Sequence, residues 1–500
     1  MHEVAPARRR TAEAALGVLT DGALEPVVDM VLGCVDGRYR AAAATGAVEF
    51  RRGEDGGFQV VGVEAVDPLA RRDTDHFVGL EEERRHATPH RHDNSYPFAF
   101  EQIAQLFDHP AAPDLCVLHS AAHNWEDQGG HRGEHGSLGI VQTRAPLVVA
   151  GCGVRPDGIV PRAARLVDVA PTIAELLGCA PLTDDAPEFL AGQDGRVLDG
   201  VVDPAGRRPR HVVGFLFDGT NANVLYAMAE SGEAPNVARL IEMGTAFGHG
   251  AFAGLPSVTL ANHTSILTGR LPGHHGILHN AWFDRRTGEQ VITNSSATWP
   301  TAMQYLDPGV QTLHHAVHRT WPDAFTASID EPCDVLADYS TFDFFRRGQV
   351  PPIPAEAIGL PHATERFVRP SKDYAYWSIV DHMAVEQAVG IWSGHYRDMS
   401  YPPPRFMWVN FALTDTGMHE GGPYSEIAAA GVRDSDARLG EILRAVEHAG
   451  VFDDTAFVFV SDHGMEQTDP AVRGDWDVAL REAGIRFRDE GYGFVYVEPG

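Results

Sequence analysis

The chain has 500 residues, 44% hydrophobic and 22% charged, which is typical of a globular protein with one large domain or two ordinary ones. Its formal net charge of −29 argues against nonspecific binding to nucleic acids or to an anionic membrane surface, so no nucleic-acid-binding module is expected. The sequence contains no run of 18 or more apolar residues, so no membrane-spanning segment is predicted.

Both helices and strands are predicted in the first 180 residues. The helices are predicted at Thr11–Leu19, Phe98–Phe107 and Asp168–Gly178, the strands at 38–40, 47–51, 58–63, Leu115–Leu118 and Pro146–Ala150, and loops at 70–95 and Gly129–Ser137. Residues 181–210 are rich in proline, aspartate, glycine and arginine, so they are interpreted as a linker.

The residues from 211 to 500 contain three apolar strands separated by longer segments. The strands are predicted at His211–Phe217, Arg405–Leu413 and Ala456–Val460. An amphipathic helix is expected between the second and the third, because apolar residues recur at helical spacing from Val432 to Val446. Residues from about 280 to 400 mix aromatic and proline-rich loops, and they are interpreted as an insertion that shapes a pocket.

Each of these three strands ends on residue types that bind metals. The first is followed by Asp218, the second by Asp415 and His419, and the third by Asp462 and His463. Open α/β sheets keep their sites at the carboxyl ends of their strands, and carboxylate with imidazole suits zinc or another divalent transition metal. One aspartate at a strand end is more often a helix cap, but three such positions in one chain are hard to explain by capping. The pattern therefore predicts a metal centre.

A candidate nucleophile lies between the first and the second of these strands. Thr259 opens a predicted helix, where free backbone N–H groups favour developing negative charge. Asn262 would share its helix face and help to hold an oxyanion, and Ser257 is the rival hydroxyl. Four nearby histidines are interpreted as structural or packing residues: His263, His274, His275 and His279.

Four motifs, taken in order, resemble the nucleotide pyrophosphatase/phosphodiesterase branch of the alkaline phosphatase superfamily. They are Asp218-Gly219, Thr259-Leu-Ala-Asn262-His263, Asp415-Thr-Gly-Met-His419 and Ser461-Asp462-His463-Gly-Met465. The resemblance covers His211 to about Met465, and it implies an alkaline phosphatase-like α/β fold with a doubly wound, mixed and mostly parallel sheet. It also implies two divalent metal ions, usually Zn²⁺, with Mn²⁺ or Fe as alternatives.

The resemblance further implies two sets of metal ligands. Asp218, Asp462 and His463 would hold one ion, with the nucleophile Thr259 as a further ligand, and Asp415, His419 and one further histidine would hold the other. In the family that histidine follows the Ser-Asp-His-Gly motif in a His-Gly loop. Here the matching context is Gly133–Ser137, which lies before the motif and offers His135, with His123 and His131 as rivals.

This order of segments predicts a circularly permuted chain that forms one catalytic domain. Residues 1–180 would correspond to the family's C-terminal part, 181–210 would join the original ends, and 211–500 would correspond to the N-terminal part with its insertion. Two alternatives stay open. Residues 1–200 could be the remnant of a tandem copy, or the sequence could be a window cut from a longer chain.

The expected chemistry is hydrolysis of a phosphodiester or nucleotide pyrophosphate, a small anionic substrate, through a phospho-threonine formed on Thr259. Phosphomonoester or phosphonate hydrolysis on the same site is one alternative, and a degenerate binding module without turnover is another. No phosphate-binding glycine loop, dinucleotide loop or sulfatase motif points to a different class.

Five cysteines are scattered along the chain without the paired spacing of a zinc finger or a disulfide framework. They are Cys34, Cys116, Cys152, Cys179 and Cys333. Because no apolar signal-peptide core follows the charged first residues either, a reduced, cytoplasmic protein is expected. The sequence does not indicate an oligomeric state.

Overall fold

The computed structural model describes residues 6–85, 94–122, 130–183, 188–295, 297–348, 372–469, 471–472, 474–491 and 493–498. Its α-helices are α1 (Pro6–Leu19), α2 (Leu80–Arg85), α3 (Ala99–Asp108), α4 (Ile140–Thr143), α5 (Val169–Leu177), α6 (Ala222–Glu230), α7 (Pro235–Glu242), α8 (Thr259–Thr268), α9 (Pro272–His275), α10 (Leu313–Thr320), α11 (Thr341–Arg346), α12 (Lys372–Trp392), α13 (Leu413–Gly421), α14 (Glu426–His448) and α15 (Trp476–Glu482).

The first twelve strands are β1 (Val28–Val35), β2 (Arg38–Ala43), β3 (Gly46–Arg52), β4 (Phe58–Ala65), β5 (Leu115–His119), β6 (Gly133–Glu134), β7 (Arg144–Ala145), β8 (Leu147–Gly151), β9 (Gly158–Val160), β10 (Ala164–Arg165), β11 (His211–Phe217) and β12 (Gly244–Phe247). The others are β13 (Ala251–Phe252), β14 (Ala281–Asp284), β15 (Glu289–Ile292), β16 (Thr326–Ile329), β17 (Tyr339–Ser340), β18 (His395–Tyr396), β19 (Met399–Ser400), β20 (Phe406–Phe411), β21 (Thr455–Val460), β22 (Glu466–Gln467), β23 (Phe487–Glu490) and β24 (Phe494–Val497).

Eight strands form the central sheet in the order β17-β16-β20-β11-β21-β8-β12-β9. All neighbours in this sheet are parallel except that β8 runs antiparallel to both β21 and β12. The predicted mixed, mostly parallel sheet is confirmed. Strands β8 and β9, which precede the predicted linker, lie in the same sheet as the three strands on which the metal centre was predicted.

Apolar side chains on both faces of β11 explain why helices cover this sheet on both sides. Phe215 and Phe217 pack in a cluster with residues of α6, α7, α12 and α14. Val212 and Leu216 belong to another cluster, with residues of α5, α8 and α10. Because successive side chains of a strand point to opposite faces, a strand that is apolar throughout needs cover on both. This is the doubly wound arrangement that the resemblance implied.

A second, seven-stranded sheet is antiparallel throughout, in the order β23-β24-β5-β1-β2-β3-β4. Its strand β1 was not predicted, because its nearly continuous apolar run has no clear period. Helices α1 and α15 pack on one face of this sheet, and α3 packs on the other. The pairing of β5 with β24 joins residues on opposite sides of the predicted linker.

Helix α2 lies within residues 70–95, which were predicted as loop. Three glutamates in its first turn and two arginines in its last complement the helix dipole, and this stabilises so short a helix. Its buried Glu83 accepts hydrogen bonds from Asn221, Asn223 and Tyr424, so α2 is held against residues near the starts of α6 and α14.

The described part of the predicted linker, 181–210, contains no helix and none of the named strands. Among the described residues, no helix combines the length and the apolarity needed to cross a membrane.

Candidate metal centre

The three acidic strand ends meet because their strands are neighbours. Strand β11 lies between β20 and β21, with Phe217 opposite Phe411 and Leu216 opposite Val460. The residues that follow these strands therefore reach one edge of the sheet together. Asp218 follows β11 directly, and the second strand turns at once into α13, where Asp415 and His419 are one helical turn apart.

The distances within this cluster are those of atoms that can share an ion. Nε2 of His463 lies 3.1 Å from Oδ2 of Asp462 and 3.6 Å from Oδ1 of Asp218. Nε2 of His419 lies 3.3 Å from Oδ1 of Asp415. Asp218, Asp415 and His463 also form one group of potential metal ligands, because one ligand atom from each lies within 4.8 Å of the others. All five residues predicted after the strands are thus brought together.

His135 joins this cluster from the other part of the chain. The short strand β6, which ends at Glu134, pairs with β22 next to the Asp462–His463 turn. Nε2 of His135 consequently lies 3.8 Å from Oδ1 of Asp415, and its ring stacks on that of His463 with centroids 3.7 Å apart. His135, Asp415 and His419 form one group of potential metal ligands.

The rival histidines are placed differently. Nδ1 of His131 lies 3.1 Å from a carboxylate oxygen of Glu134, and its ring centroid is 4.4 Å from that of His419. His131 therefore lies beyond His419, in a separate potential group with His419 and Glu134 that does not include Asp415. His123 is outside the described residues.

Three histidines of the cluster are oriented in the same way, with Nδ1 on a backbone carbonyl. The bonds run from His135 to Ser257 O at 2.8 Å, from His419 to Gly133 O at 2.7 Å and from His463 to Gly464 O at 2.9 Å. A carbonyl oxygen only accepts, so Nδ1 carries a proton and Nε2 points at the carboxylates, where it can bind a metal ion in its deprotonated form. Metal-binding histidines typically have this arrangement.

The buried carboxylates of the cluster repel one another, so a nearby positive charge would stabilise them. Burial, together with the neighbouring Asp462 and Asp415, raises the pKa of Asp218 to about 8. Burial disfavours a charge on His463, but its contacts with Asp462 and Asp218 raise its pKa to about 9. Among the described residues, no hydrogen bond reaches Oδ1 of Asp218, Oδ1 of Asp415, Oδ2 of Asp462 or Nε2 of His463. Buried carboxylates with open oxygens next to open imidazole nitrogens fit divalent metal ions.

Thr259 is the first residue of α8, and its side chain is almost fully buried. One turn later, His263 of the same helix lies beside Asp218 and Asp462. No hydrogen bond from another described residue engages the hydroxyl of Thr259. The rival, Ser257, has its hydroxyl committed, because Oγ donates to Ser137 O at 2.7 Å and accepts from Gly136 N at 3.0 Å. Ser257 therefore holds the loop that carries His135, and Thr259 has the freer hydroxyl at the helix N-terminus.

The oxyanion role predicted for Asn262 needs correction. Its Oδ1 accepts from Gly254 N at 2.7 Å, and its Nδ2 donates to the carbonyls of Pro256 at 2.9 Å and Val258 at 3.1 Å. The side chain is fully buried and its hydrogen-bonding capacity is used by the backbone before α8. Asn262 thus shapes the turn that presents Thr259 and has no donor left for a substrate.

Two residues that the sequence did not single out lie near the start of α8. Oδ1 of Asn280 accepts from Leu260 N at 3.3 Å, which places its carboxamide beside Thr259, and no described residue is hydrogen-bonded to its Nδ2. No local pattern marks Asn280. The second is Glu331, whose Oε2 lies 2.9 Å from Nδ1 of His263. The position of His263 at the site could have been predicted from the sequence, because its four-residue spacing from Thr259 puts both residues on one helix face.

A cavity of about 1020 Å³ adjoins the loops that carry the ligands, and Ser137, Gln142 and Glu466 are among its lining residues. None of the predicted site residues lines this cavity. Gln142 accepts from Ser137 N at 2.9 Å and donates to Glu466 at 2.8 Å. It therefore connects the His135 loop to the segment after His463.

Comparison with known proteins identifies a family. A family model described as type I phosphodiesterase / nucleotide pyrophosphatase matches residues 212–500. The chain is 25% identical over 279 residues to the uncharacterized pyrophosphatase/phosphodiesterase C725.05c of Schizosaccharomyces pombe, covering 51% of this chain and 45% of that protein. It is 33% identical over 91 residues to alkaline phosphatase PafA of Elizabethkingia meningoseptica, covering 18% of this chain and 17% of that protein. The chain thus spans less than half the length of these relatives.

Solved structures also align with part of the chain. Phosphonoacetate hydrolase from Sinorhizobium meliloti, in complex with phosphonoformate, aligns with a TM-score of 0.34 and 21% identity, covering 52% of this chain and 58% of that one. Murine ectonucleotide pyrophosphatase/phosphodiesterase 5 aligns with a TM-score of 0.33 and 16% identity, covering 51% of this chain and 58% of that one.

Proposed function

This chain belongs to the type I phosphodiesterase/nucleotide pyrophosphatase family, and on that basis we propose that it is a metal-dependent phosphoric ester hydrolase. Its substrate is a small anionic phosphodiester or nucleotide pyrophosphate. The observation that carries the proposal is the meeting of three carboxylates and three imidazoles at one sheet edge, next to a helix that begins with a threonine.

Two divalent ions are part of the proposal. The ligand sets are Asp218, Asp462 and His463 for the ion nearer Thr259, and Asp415, His419 and His135 for the other. Mixed nitrogen and oxygen ligands suit Zn²⁺, with Mn²⁺ and Fe as the alternatives. The unpartnered carboxylate oxygens and the three anchored rings support this assignment. When bound, the ions would neutralise phosphate oxygens and lower the pKa of a hydroxyl group beside them.

Thr259 is the proposed nucleophile. Its Oγ1 attacks phosphorus in line with the leaving group, and the hydroxyl proton passes to solvent. The bond from phosphorus to the leaving oxygen breaks, and that oxygen departs with the bonding electron pair and takes up a proton from solvent. Water then hydrolyses the phospho-threonine and restores the hydroxyl. The open N–H groups at the start of α8 favour the negative charge that develops on the phosphoryl oxygens.

In place of Asn262, we assign the amide contact with a phosphoryl oxygen to Asn280. Its carboxamide is already oriented by Leu260 N, one residue after the nucleophile. That bond occupies Oδ1 and leaves the Nδ2 donors for an oxygen of the substrate.

We also propose that the segments before and after 181–210 form one catalytic domain in permuted order. Two observations support this. Strand β8 lies inside the central sheet between β21 and β12, and His135 lies in one group of potential metal ligands with Asp415 and His419. A remnant of a tandem copy would not need to complete the sheet or the site of its neighbour.

The decisive experiment is to measure metal content and substrate preference on one preparation. Two ions per chain, with faster cleavage of bis(p-nitrophenyl) phosphate or a nucleoside p-nitrophenyl diester than of p-nitrophenyl phosphate, would support the proposal. Faster monoester or phosphonate cleavage would keep the site and change the substrate class. Two bound ions without turnover of any of these would leave a binding module. Thr259→Ala is the matched control for contaminating hydrolases.

A cytoplasmic location is also a proposal. It rests on the five cysteines, all of which are free thiols in the structure. Labelling the intact cells' thiols before lysis would test it, because a secreted protein would be expected to acquire oxidised cysteines.

A further inference from the structure

A fourth histidine faces the carboxylates of the metal centre. His263 lies one helical turn after Thr259 on α8 and is completely buried. Its Nε2 is 3.7 Å from Oδ2 of Asp218 and 3.6 Å from Oδ2 of Asp462. These three residues form a group of potential metal ligands, and no described residue makes a hydrogen bond to this Nε2.

The spacing of these atoms agrees with a shared ion better than with direct hydrogen bonds. Both distances exceed those of ordinary N–H···O bonds, which are about 2.7 to 3.2 Å. Two ligand atoms that each lie about 2.1 Å from one tetrahedral ion are about 3.4 Å apart. The separations of the His263 nitrogen from the two carboxylates are close to that value, as is the 3.6 Å between His463 and Asp218.

The other ring nitrogen of His263 is held by a carboxylate. Nδ1 lies 2.9 Å from Oε2 of Glu331, which is itself fully buried. Oε1 of Glu331 accepts from Cys333 N at 2.8 Å, so the carboxylate cannot turn away. His263 thus repeats the orientation of His135, His419 and His463, with a carboxylate in place of a backbone carbonyl. A carboxylate on the far nitrogen makes an imidazole a stronger metal ligand.

A buried histidine with a purely structural role looks different in the same region. His275 is also completely buried, but its Nε2 contacts Ala261 O at 3.0 Å and the Ser265 hydroxyl at 3.1 Å. Its Nδ1 accepts from Ile277 N at 3.1 Å. Both nitrogens of His275 are satisfied by the protein, whereas His263 directs one open nitrogen at two carboxylates.

We propose that His263 is a further ligand of the ion held by Asp218 and Asp462, and that Glu331 fixes its ring for this purpose. The inference rests on the proposed function only for the presence of that ion. It would add a second imidazole beside that of His463, which favours Zn²⁺ over Mg²⁺ because nitrogen ligands suit the transition metals.

The test measures metal binding and not turnover. His263→Gln and Glu331→Gln are compared with wild type and with His275→Gln, which removes an equally buried ring from the same region. Metal-free protein is titrated with Zn²⁺ against a chromophoric chelator, and the visible spectrum of the Co²⁺-substituted protein is recorded. Circular dichroism of each metal-free variant shows whether it folds.

Both His263→Gln and Glu331→Gln are expected to lower the affinity for one of the two ions about tenfold or more and to change the Co²⁺ spectrum. His275→Gln should keep both ions and the wild-type spectrum. If His263→Gln does not fold, Glu331→Gln still decides, because it preserves the shape of the side chain. Wild-type affinity and an unchanged spectrum in a folded His263→Gln or Glu331→Gln variant would overturn the inference. A wild-type protein that binds two ions but cleaves no phosphate ester would instead contradict the proposed function.

Discussion

Nε2 of His135 lies 3.8 Å from Oδ1 of Asp415, so a residue that precedes the linker completes a cluster built by residues that follow it. We therefore expect His135→Ala to lower metal content by about one ion per chain and to reduce activity about as severely as His419→Ala. Metal analysis of the purified variants measures this directly. His131→Ala serves as the control, because His131 contacts Glu134 and shares no group of potential metal ligands with Asp415. Two tightly bound ions in His135→Ala would remove it from the site.

A fragment of residues 206–500 should be insoluble or unable to bind two ions. It lacks β8 and β9, so β21 would be left as an exposed apolar edge and β12 would lose both of its neighbours in the sheet. The matched control is a reordered chain in which 211–500 precede 1–210 through a short linker, because Phe189, Leu190 and Val201 belong to the core. This chain should fold, because α1 already packs with β24 and α15. A folded, active 206–500 fragment would rule out the permuted domain.

Thr259→Ala should lower kcat about a thousandfold or more while metal content and thermal stability stay near wild type. The reason is that its hydroxyl makes no structural hydrogen bond to a described residue, whereas it is the proposed attacking group. Thr259→Ser should recover part of the activity. Ser257→Ala should act mainly on stability, because its hydroxyl holds Gly136 and Ser137. Near-normal turnover in Thr259→Ala, with loss in Ser257→Ala, would reverse the assignment.

Asn262→Ala and Asn280→Ala should separate structure from catalysis. Removing Asn262 leaves buried backbone groups unpaired, so we expect a loss of about 2 to 4 kcal/mol in the free energy of unfolding. Removing Asn280 should instead lower kcat about 100-fold at nearly unchanged stability. Urea unfolding and steady-state kinetics on both variants check this. A stable but inactive Asn262→Ala would restore the role first predicted for it.

His274 should stabilise the protein in a pH-dependent way. Its Nδ1 lies 2.9 Å from Asp194 in the linker and its Nε2 lies 3.0 Å from Asp108 at the end of α3. Burial opposes the charge, but these carboxylates raise the pKa of His274 to about 9. Because this lies above the value of about 6.5 in an unfolded chain, the stabilisation is complete below pH 6.5 and is lost as the pH rises through 9.

The variant His274→Gln should accordingly lose about 2 kcal/mol at pH 6 and much less at pH 10, where the wild-type ring is neutral too. Urea unfolding of metal-free wild type and variant at both values measures the difference. An equal loss at both pH values would show that the ring stabilises by packing alone.

Much of the metal centre could be predicted from the sequence because its parts are local. An apolar strand that ends on aspartate, or a helix with ligands four residues apart, is encoded within a few neighbouring positions. Asp218, the Asp415–His419 pair and the Asp462–His463 pair are all of this kind, and the structure places them at adjacent strand ends. The doubly wound, mostly parallel sheet was implied by the family resemblance of the motifs that follow these strands.

Only the tertiary structure decided what the remaining residues do. Asn262 lost its predicted role because Gly254, Pro256 and Val258 fold back onto its carboxamide, which no spacing rule reveals. Strand β1 could not be separated from a buried helix by its pattern, since its neighbours β2 and β5 determine its conformation. A side chain's orientation depends on partners that are distant in sequence, and the residues of one strand or helix do not specify those partners.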